Sequence, residues 1–300
     1  MNKKAFIFPG QGAQRPFMGK SFYDAHLEAR EVHQQAEDLL NMHITEKIFS
    51  TDEESLKQTD FCQVALFVTS MAILKVLQVQ APEFSPFVTA GLSLGEYGAI
   101  LAAKKGRFEE ILKIIKLRGL FMNEASKVIE QGMVAVFGLE EKDIAKKYQI
   151  ANVNTPGQIV IAGSKNEMRN AEIELKAKGA KRVVPLNVSG AFHSSYMDIA
   201  REKLTPFIME CNLVPTEVQF VMNLTGKKEM KGEKIKQNLI DQISTKTRWL
   251  DCLQTMEEMD VDYIEIGPSQ LSTMNKRMRL KGATFCIQEV KDIEALYEKV

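Results

Sequence analysis

The sequence predicts an α/β protein: a large parallel-sheet domain into which a small β-α-β-β-α-β domain is inserted. Three observations carry that prediction. Short, continuous apolar runs stop at Pro-Gly or Gly, as buried strands do where they empty into loops. Between them lie segments whose apolar residues recur at three- and four-residue steps, the helical period. The middle of the chain departs from this alternation and places two turn-linked strands between two helices.

Ala5-Phe6-Ile7-Phe8 is the first strand, closed by Pro9-Gly10. Helical periodicity covers about Ser21 to Leu40 and again about Gln63 to Leu77. Pro86 to Ala90 is a second buried strand running into Gly91, followed by helices from Gly95 to Ala103 and from Phe108 to Ala125. Met133 to Leu139 then reads as a strand and Glu140 to Tyr148 as a short helix. Strands Gln149 to Asn154 and Gln158 to Ala162 are joined by the turn Thr155-Pro156-Gly157. The helix Lys165 to Lys178 ends on Gly179, a natural C-cap, before a last strand, Arg182 to Val188. This is the ferredoxin-like order. It assigns residues 129–192 to the small domain, and 1–128 with 193–300 to the large one. Later strands are expected near Gln219 to Met222 and Asp262 to Glu265.

Composition narrows the function classes. Lys plus Arg and Asp plus Glu balance at 39 each, so no global field points to nucleic acid or membrane. The four cysteines, Cys62, Cys211, Cys252 and Cys286, form no metal or redox spacing and suit a reducing cytosol. No stretch approaches the ~18 to 20 apolar residues of a spanning helix, and the N-terminal apolar run is too short for a signal peptide. A cytoplasmic protein is expected.

Gly91-Leu92-Ser93-Leu94-Gly95 fits G-x-S-x-G, with a strand before it and a helix after it. A serine on such a turn is forced into a strained backbone conformation that only small flanking residues permit. Its hydroxyl then stands at a helix N-terminus, where backbone N–H groups favour a developing oxyanion. The Leu94 N–H would be one such donor. The pentapeptide by itself equally fits a plain Gly/Ser turn. A serine also needs a base, and the chain has four histidines. His26, His33 and His43 lie in or after a polar helical segment and read as surface residues. His193 lies in the small-residue loop Ser189 to Ser195, just after a strand, where sites are usually built.

Taken together, Phe8-Pro9-Gly10-Gln11-Gly12-Ala13-Gln14, Gly91 to Tyr97, Arg118-Gly119, Asn152 to Gly163 and Gly190-Ala191-Phe192-His193-Ser194 resemble the successive motifs of the malonyl-CoA:acyl carrier protein transacylase family. The resemblance covers essentially the whole chain. It implies a hydrolase-like α/β domain with a ferredoxin-like insert. It also implies Ser93 as nucleophile, His193 as base, and the N–H groups of Gln11 and Leu94 as oxyanion donors. Arg118 then pairs with the free carboxylate of malonate, as the guanidinium fork suits. Without the resemblance, Arg118 would read as a side chain snorkelling from an apolar helix face, and Gln11 as part of a turn. Phe192 implies malonyl rather than an α-methyl extender, since a ring near the α-carbon leaves no room for a branch.

Two departures stand out. Leu92 precedes the nucleophile where the family commonly has His. No acidic third member of a triad is evident, and the carbonyl of Arg248, in Lys246 to Trp249, is the candidate for holding the His193 Nδ1 proton. Trp249 reads as a packing residue, and Asn154 with Gly157-Gln158 as either cleft lining or hairpin.

The expected reaction moves malonyl from malonyl-CoA to the phosphopantetheine thiol of an acyl carrier protein, feeding fatty-acid or polyketide synthesis. No cofactor or metal is expected, and neither nucleic acid nor membrane is a partner; a monomer is expected. Lys104, Lys105 and Arg107 are a candidate basic rim for an acidic carrier protein, or a solvated charge run. The rivals are an acyl hydrolase or esterase of the same fold using water, and a silent carrier-protein docking protein.

Overall fold

The computed structural model describes residues 2–298. Among these residues ten strands run in the order β1 (Lys3–Phe8), β2 (Val88–Gly91), β3 (Gln131–Phe137), β4 (Gln149–Thr155), β5 (Gln158–Ser164), β6 (Arg182–Pro185), β7 (Gln219–Met222), β8 (Lys227–Lys228), β9 (Val261–Ile266) and β10 (Thr284–Ile287). They form two sheets. The larger has the order β10-β9-β1-β2-β7-β8, parallel throughout except for the edge pair β7–β8. The smaller, β4-β5-β3-β6, is antiparallel and has the strand order of a ferredoxin-like unit.

β1 and β2 are buried along nearly their whole length, which is why they read as continuous apolar runs without alternation. They end side by side, Phe8 opposite Gly91, so both following loops leave the same carboxyl edge of the sheet. That edge is where open parallel sheets place their ligands.

Helix Thr59–Gln80 forms the centre of one helical layer and packs against helix Phe108–Ser126. Their close approach depends on Gly119, where a Cβ would stand 2.8 Å from the Asp60 Cα. By length and composition alone Thr59–Gln80 could cross a membrane, contrary to the expectation that no stretch is apolar enough. Within the fold, 83% of its most apolar window is buried, so its apolar surface is already covered by protein.

The expected helix over Ser21 to Leu40 is two helices, Lys20–Ala25 and Leu27–Leu40, broken at His26, whose backbone is extended. His33 is not a surface residue. It is 1% exposed, packs edge-on to Tyr23, and its Nδ1 lies 3.2 Å from Thr45 Oγ1. The strand expected to reach Val188 ends at Pro185, and the short helix expected to reach Tyr148 ends at Ile144. Trp249 is fully buried beneath the large sheet, as a packing residue should be.

The small sheet meets the large domain through β4, at the loop between helices Gly232–Gln242 and Trp249–Glu257. Val153 N–H donates to the Thr247 carbonyl and Thr247 N–H to the Ala151 carbonyl, at 2.9 and 2.8 Å. A cleft of about 450 Å³ opens between the sheets, over the carboxyl ends of β1 and β2.

Candidate active site

Ser93 sits at φ 53° on the turn between β2 and helix Gly95–Ala102. A non-glycine residue there costs ~1–3 kcal/mol and persists only where its surroundings hold it. Here they do. Ser93 N–H donates to Asn223 Oδ1 at 2.6 Å, and the Ser93 carbonyl accepts from Gln242 Nε2 at 3.1 Å. Asn223 Nδ2 also donates to the Gly91 carbonyl at 2.7 Å, so one amide straddles the turn. The two flanking glycines have steric causes. A Cβ at Gly91 would stand 2.0 Å from the Gly95 carbonyl carbon, and one at Gly95 would stand 2.2 Å from the Phe8 carbonyl oxygen.

His193, 100 residues away in the chain, brings its Nε2 to 2.7 Å from Ser93 Oγ. Its Nδ1 lies 2.8 Å from the Gln242 carbonyl. A carbonyl only accepts, so Nδ1 carries the proton and Nε2 presents a lone pair to the serine hydroxyl. Burial, and then the Arg118 charge, hold this imidazole down at about 4, against the opposing pull of the Gln242 carbonyl. It is therefore neutral near pH 7 and able to take a proton.

The orienting carbonyl is thus that of Gln242, not Arg248. The Arg248 carbonyl accepts the Cys252 N–H at 3.0 Å, opening helix Trp249–Glu257. Gln242 instead ends helix Gly232–Gln242, where carbonyls have no partner within the helix.

Arg118 is 1% exposed, so it does not snorkel. Its Nη1 donates to Gln63 Oε1 at 2.7 Å and its Nη2 to Ser93 Oγ at 3.0 Å and Gln242 Oε1 at 3.3 Å. The guanidinium carbon lies 5.7 Å from the Tyr97 ring centroid. Below it lies Glu96, fully buried, accepting Asn223 N–H at 2.7 Å and Gln242 Nε2 at 2.6 Å. Burial pushes the Glu96 carboxyl up to about 8, with those two donors and Arg118 opposing.

Gln11, Ser93, Arg118, Phe192 and His193 all line the cleft, together with Asn154 and Gln158. Leu94 is buried and its side chain does not line the cleft. Neither the Gln11 nor the Leu94 N–H donates to a backbone carbonyl among the described residues. The basic rim does not form as expected. Lys104 and Arg107 are exposed, but Lys105 is 0% exposed, folded inward after helix Gly95–Ala102.

Gln242, Asn223, Glu96 and Gln63 were not singled out from the sequence. Gln63 and Glu96 left a trace, as polar residues inside otherwise apolar helical runs. Gln242 and Asn223 left none, because their roles depend on where distant loops return.

A strained serine in contact with a neutral histidine, over a parallel sheet with an antiparallel insert, suits acyl-enzyme chemistry, and residues 5–289 match the family model for the acyl transferase domain, which sets the class as acyl transferase. A malonyl CoA-acyl carrier protein transacylase of Bacillus subtilis is 35% identical over 98% of this chain and 96% of its own. The chain belongs to the malonyl CoA-acyl carrier protein transacylase family. An acyl carrier protein S-malonyltransferase from Vibrio cholerae superposes with a TM-score of 0.93 at 32% identity, over 98% of this chain and 99% of that one. A malonyl-transacylase solved in complex with its type II PKS acyl carrier protein superposes equally well, at 0.93 and 30% identity, over 99% of this chain and 100% of that one.

Proposed function

We propose that this chain transfers malonyl from malonyl-CoA to the phosphopantetheine thiol of an acyl carrier protein through a malonyl-Ser93 intermediate, supplying fatty-acid or polyketide synthesis. One observation carries the reading: the buried Arg118 guanidinium and the His193 imidazole converge on the same atom, Ser93 Oγ, from 3.0 and 2.7 Å. The imidazole suits a base, and the guanidinium suits a carboxylate a few bonds from the reacting carbonyl.

The Ser93 O–H proton passes to His193 Nε2 as Oγ bonds to the thioester carbon. The carbonyl oxygen becomes an oxyanion facing the N–H groups of Gln11 and Leu94. As it collapses the C–S bond breaks, His193 returns the proton to the CoA sulfur, and malonyl stays on Ser93. The carrier-protein thiol then gives its proton to His193, attacks the ester, and leaves with malonyl as the proton returns to Ser93. The Gln242 carbonyl holds the ring through both halves. No redox or metal chemistry enters these steps.

Arg118 supplies selection. An acyl group without a carboxylate leaves a buried charge without its ion partner, which costs several kcal/mol. Phe192, 6% exposed in the same cleft, supplies the steric bar to α-branched groups. The malonyl-transacylase solved with its carrier protein supports a carrier protein as acceptor here. The contact between Ser93 and His193 argues against a silent docking protein.

Loading the protein with radiolabelled malonyl-CoA and chasing with holo carrier protein tests the assignment. Label moving to the carrier faster than to water is the expected result. Label lost mainly as free malonate would make the protein a hydrolase.

A further inference from the structure

The peptide unit between Gly10 and Gln11 carries one of the two N–H groups aimed at the oxyanion. A single side chain from the far end of the sequence brackets it. Gln270 Oε1 accepts the Gly10 N–H at 2.8 Å, and Gln270 Nε2 donates to the Gln11 carbonyl at 3.3 Å. These groups belong to the peptide units on either side, so one planar amide fixes both neighbours and thereby the tilt of the Gln11 N–H.

Gln270 is itself seated. Glu265, 0% exposed on β9, accepts the Gln270 and Leu271 N–H groups on Oε1 at 2.8 and 2.7 Å, and the Ser272 N–H on Oε2 at 2.8 Å. Three bonds to a carboxylate at the start of helix Leu271–Met278 fix the Gln270 backbone. Glu265 also pairs in register with Ile7, so brace and loop spring from neighbouring strands. On its other side the loop lies against the serine turn, where a Cβ at Gly10 would stand 2.5 Å from the Leu92 carbonyl oxygen. The Gly10–Gln11 unit is therefore held between the nucleophile's own turn and Gln270.

We infer that Gln270, seated by Glu265, is a positioning residue that aims the Gln11 N–H at the oxyanion of the acyl-transfer transition state. The inference rests on the malonyl-transfer reading above. An oxyanion donor acts on charge that exists only in the transition state, so misaiming it lowers kcat and leaves KM unchanged.

The test measures malonyl-serine formation by rapid quench in the full chain, with Gln270→Met and Gln270→Asn. Met keeps the length without either hydrogen bond. Asn is one methylene shorter and cannot span both contacts. Both are expected to lose roughly ten- to hundredfold in loading kcat, with KM for malonyl-CoA within about twofold. Their thermal unfolding should stay close to wild type. Either well-folded variant retaining kcat within about twofold overturns the inference. So does a raised KM with kcat kept, which would make Gln270 a substrate contact. If Met does not fold, Asn alone decides. Wild type serves as the separate control: failure of wild type to load malonyl removes the functional reading itself, whereas loading by wild type and equal loading by the variants removes only the brace.

Discussion

Arg118 Nη2 lies 3.0 Å from Ser93 Oγ, although Arg118 sits on helix Phe108–Ser126 and Ser93 on the turn after β2, 25 positions away. In the proposed mechanism this buried cation receives the free carboxylate of the malonyl group carried on Ser93. Arg118→Ala should reduce malonyl loading by about 100- to 1,000-fold, the scale of a lost charged hydrogen-bond pair. Relative use of acetyl-CoA should rise. Competition assays with both thioesters check this, and unchanged preference would remove the clamp.

His193 makes the pH dependence unusual. In the proposed mechanism its neutral form is the base, and burial with Arg118 lowers it to about 4. Loading measured as kcat/KM should therefore persist as pH falls through the ordinary histidine range near 6.5 and decline only towards about 4. An acid limb at the ordinary value would show the site to be wetter than its burial indicates.

Glu96 predicts a stability slope. Its folded-state carboxyl titrates near 8 against an ordinary 4.5, so the folded protein holds this proton more tightly than the unfolded chain does. That contribution is fully present below the ordinary value and is lost as pH rises through about 8. Glu96→Gln should lower stability by ~1–3 kcal/mol at neutral pH, because one of the two donors loses its acceptor. It should also flatten the loss on the alkaline side. Urea unfolding at several pH values reads both, and an unaltered slope would assign the titration elsewhere.

The serine turn predicts a packing effect. Gly95→Ala places a Cβ against the Phe8 carbonyl oxygen, at 2.2 Å before relaxation. Backbone cannot give way as a flexible side chain can, so destabilisation of ~1–3 kcal/mol or more is expected, with loss of loading. Retention of both stability and loading would show that the turn can relax.

These relationships explain what was legible in the sequence. The serine turn and the two sheets were readable because their causes are local: apolar runs, glycines beside a strained residue, and the turn Thr155-Pro156-Gly157. Arg118, His193 and Gln11 were readable through the family's motif order. The Gln242 carbonyl was not, because nothing local to a helix C-terminus says which distant ring will meet it, and the motif order points to Arg248 instead. Lys105 misled for the opposite reason. A basic triplet looks solvated in one dimension, but the turn after helix Gly95–Ala102 folds its middle member inward. His33 failed in the same way.

The most direct test of the central claim is peptide-level mass spectrometry after brief mixing with equal malonyl-CoA and acetyl-CoA. The account predicts a malonyl adduct on Ser93, favoured over acetyl by at least about 100-fold, and absent in Ser93→Ala. Equal acetyl loading, an adduct on another residue, or none at all would contradict it.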